Sequence, residues 1–314
     1  MSSFDSINYS LSPNKTIQRH IVFDALEMLD RHVGICSGIY IGFGSIWFSD
    51  FLLAHKRLGV NRLISIENNP VGAVRARFNA PFRSIEVEEG DSTPVLRDLV
   101  RREDILSSPW IVWLDYDRSV SQTTTDDIEL IVTHAPQNSV LILTLDAGGL
   151  GMSGTASRAE YLRNTLGDAI SDQLENSDFV VENMPEIIGD GILNFLGSRA
   201  VDLGRPGGFV PTFKIPYKDS AQMITCGGIL PAQAARGAAR ACIADQGWPG
   251  FPNVAVKAPP LTLKEVLALQ RLMPSHENIS RGDVQGIGFD LLEDQIEAYS
   301  AHYRRYPTFS QVIS

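Results

Sequence analysis

Five strand-like runs, separated by four helix-like segments, are the feature that most constrains the fold of this chain. The runs are continuous in apolar residues, which is typical of strands buried on both faces of a sheet. They lie at 38–44, 61–67, 83–91, 110–117 and 139–147. The segments between them, at 45–59, 70–80, 93–104 and 126–135, have the length and apolar spacing of helices. This alternation predicts a doubly wound, mostly parallel α/β sheet with right-handed crossovers.

The rest of the chain is organised around this central domain. Residues 1–34 form an N-terminal helical segment, with its helix predicted at 14–32. The central domain extends over 35–230 and contains a helical insertion at about 150–206. It ends in an antiparallel hairpin, predicted at 207–217 and 221–230. Residues 231–314 read as a mainly helical C-terminal extension.

Small or acidic residues follow every one of the five predicted strands. In an open parallel sheet, ligands bind beyond the carboxyl ends of the strands. Residues that end different strands are therefore expected to meet at one edge. In chain order they are Gly42, Gly44 and Ser45; Glu67; Asp91 and Ser92; Asp115, Tyr116 and Asp117; and Asp146.

Each of these residue types has a use in binding a nucleotide-like ligand. Glycines after the first strand let the backbone pass close to the ligand. Glu67 can accept two hydrogen bonds from ribose hydroxyls, and Asp91 can accept one from an exocyclic amine. Asp115 or Asp117 can act as a base or as a metal ligand. Taken singly, each also has a structural explanation, such as a strand end, a helix cap or a tied loop. Their joint order favours a binding site.

The four strand-end motifs resemble those of the class I S-adenosylmethionine-dependent methyltransferases, a Rossmann-like family. YIGFGSIWF stands where the family has its glycine-rich motif, and Glu67 in LISIE matches the acidic residue that holds the ribose. EGDS at 89–92 matches the element near the adenine, and LDYD at 114–117 lies where catalytic groups often occur. The resemblance covers roughly 35–147 and the hairpin, which would supply the family's antiparallel sixth and seventh strands.

This resemblance implies a site for S-adenosylmethionine and a catalytic group beside it. The implied cofactor-binding residues are Gly42, Gly44, Ser45, Glu67, Asp91 and Ser92. The implied catalytic residues are Asp115, Asp117 and Tyr116, with an aspartate helping to remove a proton and the tyrosine lining the pocket. The expected reaction is O-methylation of a small or modest-sized acceptor.

A narrower similarity, to cation-dependent small-molecule O-methyltransferases, raises the question of a metal. That family has an aspartate after the fourth strand and an Asp-Asn pair after the fifth. Asp115 and Asp146 occupy these positions and could hold Mg²⁺, although Ala147 stands where the asparagine belongs.

Two other functions remain open from the sequence. Glu67 could equally hold the ribose of NAD in a dehydrogenase. That interpretation needs a third glycine, and Trp47 stands in its place. The chain could instead be a non-catalytic Rossmann-like scaffold that binds a protein partner through its long additions.

Composition sets the cellular context. The net charge of −10 argues against a large nucleic-acid footprint, which needs clustered Lys and Arg. No apolar run is long enough to span a membrane, and the N-terminus lacks the basic-then-apolar order of a signal peptide. Three widely spaced cysteines favour a reducing compartment. We therefore expect a cytoplasmic protein that binds a small-molecule acceptor or a protein partner, either as a monomer or as a homo-oligomer.

Overall fold

The computed structural model describes residues 12–252, 255–275 and 278–307. It confirms the predicted α/β class, because one seven-stranded sheet runs through the molecule in the order β3-β2-β1-β4-β5-β7-β6. The strands are β1 (Ile39–Phe43), β2 (Leu63–Glu67), β3 (Ile85–Glu89), β4 (Trp110–Asp115), β5 (Ser139–Asp146), β6 (Val210–Lys218) and β7 (Gln222–Leu230).

Strands β1 to β5 are parallel to one another. Strand β7 runs antiparallel to both β5 and β6, so the predicted hairpin closes the sheet at one end. The order of strands places β1 and β4 side by side at the centre, which is where the connections reverse direction. A ligand cleft is expected there, at the carboxyl ends of the strands.

The helices form a layer on each face of the sheet. They are α1 (Pro13–Val33), α2 (Ser49–Leu58), α3 (Pro70–Asn79), α4 (Ser92–Leu99), α5 (Glu103–Leu106), α6 (Gln122–His134), α7 (Thr155–Leu166), α8 (Met184–Asp202), α9 (Arg236–Ile243), α10 (Leu263–Gln270), α11 (Arg281–Gly286) and α12 (Glu293–His302). None of the helices in the described residues is long and apolar enough to cross a membrane.

The strand pleat explains why the central strands are apolar throughout. In β4, Trp110, Val112 and Leu114 belong to the core on the side of α4–α8. Ile111 and Trp113 point the other way, into the core on the side of α1 and α2. Successive side chains of a strand alternate between faces, so a sheet covered on both sides favours apolar residues at consecutive positions.

Helix α1 is fixed to the sheet by buried polar contacts as well as by apolar packing. Gln18 Nε2 donates to Thr225 Oγ1 at 2.8 Å, and Thr225 and Thr144 share a hydrogen bond of 2.8 Å. Trp113 Nε1 donates to Thr144 Oγ1 at 3.0 Å. This chain of contacts joins the N-terminal helix to three neighbouring strands. It fixes which residues of α1 reach the carboxyl edge.

Several local expectations differ from the structure. Helix α1 begins at Pro13, one residue earlier than predicted, and Ser12 caps it, because its Oγ accepts from the N–H of Lys15. The helix predicted at 93–104 is interrupted and becomes α4 and α5. Thr262 caps α10, since its side chain accepts from the N–H of Glu265. The first eleven residues of the predicted N-terminal segment lie outside the described residues.

The buried chain of polar contacts predicts a measurable stability effect. Replacing Thr225 by valine keeps the volume but leaves the Gln18 amide without its acceptor. An unsatisfied buried group costs about 1–3 kcal/mol. We therefore expect Thr225→Val to lower the free energy of unfolding by about this amount, measured in urea.

A double variant provides the control. Gln18→Leu combined with Thr225→Val removes both partners and should recover part of the loss, since no amide is then buried unpaired. If Thr225→Val unfolds at the same urea concentration as the wild type, the polar chain does not stabilise the docked helix.

Candidate active site

A cavity of about 800 Å³ opens at the carboxyl edge of the sheet. It is lined by residues from the ends of β1, β2, β4 and β5, from the β3–α4 connection, from the β6–β7 turn and from the first turns of α1. The predicted site residues that line it are Gly44, Ser45, Glu67, Asp91, Ser92, Asp115, Tyr116, Asp117 and Asp146. The structure thus brings together nine residues that are far apart in the sequence.

The glycine-rich segment after β1 passes close to its neighbours. A side chain at Gly44 would place its Cβ 1.9 Å from Ser65 Oγ, so any larger residue here would require Ser65 to move. Gly42 is not among the residues that line the cavity. It lies inside β1, where a Cβ would meet the Trp113 carbonyl oxygen at 3.0 Å. In the structure, Gly42 therefore allows close packing of β1 against β4 and does not face the cavity.

The Glu67 carboxylate is held at the C-terminal end of β2. Its Oε1 accepts from the backbone N–H of Asn69 at 2.8 Å. A Cβ on Gly72 would come within 3.0 Å of the Glu67 carboxyl, so this glycine of α3 makes room for the side chain. Burial raises the pKa of Glu67, and the bond from Asn69 offsets part of this effect. The group is suited to accept hydrogen bonds from a ligand.

Asp91 and Ser92 both line the cavity, but their side chains contact different partners. Asp91 lies at the N-terminal end of α4, and its side chain makes no capping bond to the helix. Its Oδ1 accepts from Asn68 Nδ2 at 3.2 Å, so it faces the segment that follows β2. Ser92 is buried and interacts with the Asp127 carboxylate of α6.

The pleat at the end of β4 sends consecutive side chains to opposite faces. Asp115 follows the direction of Trp113 towards helix α1, where its Oδ2 lies 2.8 Å from Lys15 Nζ. Tyr116 follows the direction of Leu114, and its hydroxyl donates to Asp127 Oδ2 at 2.6 Å. Burial and the Asp127 carboxylate hold the pKa of Tyr116 well above its ordinary value, so its hydroxyl stays protonated.

The donor set at this edge does not fit the expected Mg²⁺ site. Within the described residues, no three His, Cys, Asp or Glu side chains converge as metal ligands. Asp115 already faces the Lys15 ammonium, which would repel a second cation. Asp146 Oδ1 accepts from the backbone N–H of Gly148 at 2.6 Å. No step of the reaction is therefore assigned to a metal.

Sequence analysis missed the residues that α1 and the hairpin contribute. Lys15 and Arg19, one helical turn apart, are both buried and line the cavity. Tyr217 and Asp219 line it from the end of β6 and the turn after it. The i, i+4 spacing of the two basic residues is visible in the sequence. However, basic residues on a helix are usually solvated, and nothing local indicates that this face is covered.

Comparison with known proteins adds to this geometry. The family model described as "Putative O-methyltransferase" matches residues 7–314. No curated protein matches the chain. One similar solved structure is the O-methyltransferase from Bacillus cereus in complex with SAH, with 14% identity and a TM-score of 0.41, covering 73% of this chain and 84% of that one. Another is Trm1 from Pyrococcus horikoshii with S-adenosyl-L-methionine, with 12% identity and a TM-score of 0.45, covering 72% of this chain and 58% of that one.

The family match spans nearly the whole chain, including α1 and the C-terminal helices. It favours the methyltransferase interpretation over the dehydrogenase and scaffold alternatives. The chain therefore belongs to the "Putative O-methyltransferase" family and is a methyltransferase.

Proposed function

We propose that this enzyme transfers a methyl group to an oxygen atom of a small or modest-sized acceptor. The observation that carries the proposal is the single cavity in which Glu67, Asp91 and Asp115 meet. Its volume of about 800 Å³ lies within the range of roughly 300–1,000 Å³ that is usual for ligand sites. The cavity is large enough for a nucleoside-containing ligand with a small second ligand beside it.

The residues along the cavity fit S-adenosylmethionine from one end to the other. We assign Glu67 to the ribose hydroxyls, Asp91 to the adenine side, and the Gly44–Ser45 backbone to the centre of the molecule. S-adenosylmethionine supplies an activated methyl group on a sulfonium, and this group leaves as its bond to sulfur breaks. The protein has to align the acceptor oxygen with that methyl group and to receive a proton.

Asp115 is the residue that we assign to the acceptor. It is partly exposed to the cavity, at the end of a central strand. Asp117 lines the same end and is a second carboxylate for orienting the acceptor. Tyr116 belongs to the wall, because its hydroxyl is engaged by Asp127. Phe43 packs edge-on against the Tyr116 ring, with the centroids 5.0 Å apart, and this contact keeps the wall rigid.

The cytoplasm is the compartment that we propose. The three cysteines, Cys36, Cys226 and Cys242, are all free thiols, and two of them are buried. Sparse unpaired cysteines are typical of proteins kept in a reducing environment. Fractionation of cells that express the tagged full chain would test this proposal.

The assignment of Glu67 predicts a loss of cofactor affinity. Glu67→Gln replaces one acceptor oxygen by an amide nitrogen, which cannot accept from the ribose. We expect calorimetric titration to show S-adenosylhomocysteine binding weakened about 10- to 100-fold. The unliganded variant should unfold at the same temperature as the wild type or higher, because a buried charge has been removed.

The matched control for this variant is Glu89→Gln. Glu89 pairs with Glu67 in the register of β2 and β3 but is exposed and lies outside the cavity. This control should bind like the wild type. Unchanged affinity in Glu67→Gln would remove Glu67 from the cofactor site.

Glu67 also predicts how binding depends on pH. Burial raises its pKa, so the carboxylate takes up a proton at a higher pH than an exposed glutamate would. The protonated form offers fewer acceptors to the ribose. Affinity for S-adenosylhomocysteine should therefore fall as the pH is lowered from 8 to 5, and fall less in Glu67→Gln. Parallel pH profiles for the two proteins would contradict this prediction.

The proposed reaction predicts a separate effect of Asp115. Asp115→Asn should leave S-adenosylhomocysteine affinity within a few-fold but lower methyl transfer about 100-fold or more, the usual scale for a proton-transfer group. Turnover would be followed by mass spectrometry on a panel of phenols, alcohols and carboxylic acids, and the position of the methyl group by NMR. A methyl group found on nitrogen or carbon would contradict O-methylation.

A further inference from the structure

Helix α1 contacts the end of β4 through an ion pair between Lys15 and Asp115. The methyltransferase assignment does not by itself explain why a lysine stands there. Lys15 Nζ lies 2.8 Å from Asp115 Oδ2. The Lys15 side chain is 8% exposed, whereas that of Asp115 is 26% exposed. The lysine is therefore the more buried partner of this pair, and both side chains line the cavity.

We propose that Lys15 is a positioning residue for methyl transfer. Its ammonium holds Oδ2 of Asp115 and leaves the other oxygen, Oδ1, turned towards the acceptor. As the acceptor oxygen gains the methyl group, its proton passes to Oδ1 of Asp115, and the electron pair of the broken carbon–sulfur bond stays on sulfur. This inference rests on the proposed function, because it takes Asp115 to lie at the methyl-transfer end of the cavity.

Stability alone does not account for a lysine at this position. A buried lysine must be desolvated, and a buried ion pair often contributes no more to stability than apolar side chains of the same size. Further along α1, Val22, Leu26 and Leu29 belong to the same core cluster as Trp113, whereas the turn next to Lys15 carries the buried polar residues Gln18 and Arg19. Asp115 is partly exposed and can be hydrated without Lys15. The charge of Lys15 is therefore best explained by what it does to Asp115.

The first turns of α1, which carry Lys15, are held in place by hydrogen bonds to the hairpin and by a helix cap. The Gln18 amide ties the next turn of α1 to Thr225, and Ser12 caps the helix on the other side of Lys15. Asn14 Nδ2 donates to the carbonyl of Lys218 at 2.7 Å. These contacts fix the start of α1 against the hairpin, so the ammonium and the carboxylate are held in register before any ligand binds.

The electrostatic consequence can be measured without knowing the acceptor. S-adenosylmethionine carries a positive sulfonium, and S-adenosylhomocysteine carries a neutral sulfur at the same place. The ratio of their dissociation constants therefore reports the charge near the transferred methyl group. Lys15 disfavours the sulfonium and Asp115 favours it. The other charged groups at this end, which are Arg19, Asp50, Asp117, Arg118, Asp146 and Asp219, are the same in every variant below.

The experiment is calorimetric titration of the full chain with both compounds. Lys15→Met should shift the ratio about three- to tenfold in favour of S-adenosylmethionine, and Asp115→Asn should shift it by a similar factor in the opposite direction. Lys15→Arg keeps the charge and should restore the wild-type ratio. Lys15→Gln, a second neutral variant, gives the same readout if the methionine variant does not fold.

The outcomes separate this inference from the proposed function. A lysine that is only structural would weaken both compounds equally and leave the ratio unchanged, and that result would overturn the inference. A wild-type chain that binds neither compound would instead overturn the cofactor assignment. A Lys15→Arg protein with the ratio of Lys15→Met would show that the charge at this position is not what matters.

Discussion

Burial of both faces of the central strands is the constraint on which the rest of this structure depends. Because β1, β4 and β5 are covered by helices on each side, they are apolar along most of their length. A buried polar side chain within them, such as Thr144, is paired by hydrogen bonds, and the charged residues stand at the strand ends. Because these strands are parallel, their carboxyl ends lie at the same edge of the sheet. The acidic and glycine residues of the site are therefore confined to one narrow zone, and the chemistry of the protein follows from this topology.

Within that zone, the pleat decides which partner each side chain meets. Asp115 and Tyr116 are neighbours in sequence, but one turns to α1 and the other to α6. The two residues consequently have different surroundings: an ammonium beside a partly exposed carboxylate in one case, a fully engaged hydroxyl in the other. Only the first arrangement leaves a group able to receive a proton at the cavity.

The strands and the parallel α/β class could be predicted from the sequence because apolar runs and strand-end motifs are local signals. The position of Glu67 at the C-terminal end of β2, beside the cavity, could be predicted from the same signals. The contribution of α1 could not be predicted in this way. Lys15 reaches Asp115 across a separation of 100 residues, and this contact depends on how the helix docks against β7, which is decided by buried contacts such as Gln18 with Thr225. The structure does not support the expected pairing of Asp115 with Asp146 around Mg²⁺, and the reason is the same, since sequence order does not show that Lys15 contacts Asp115.

The central claim, that one cofactor cleft lies at the carboxyl edge of the sheet, is tested most directly by hydrogen exchange with and without S-adenosylhomocysteine. The structure predicts slower exchange in the backbone around 43–48, 66–69 and 90–93, which form the wall of the cavity. Exchange in α8, on the far side of β7, should be unchanged. Protection confined to other parts of the chain, at a concentration where the compound is bound, would place the cofactor elsewhere and contradict the account.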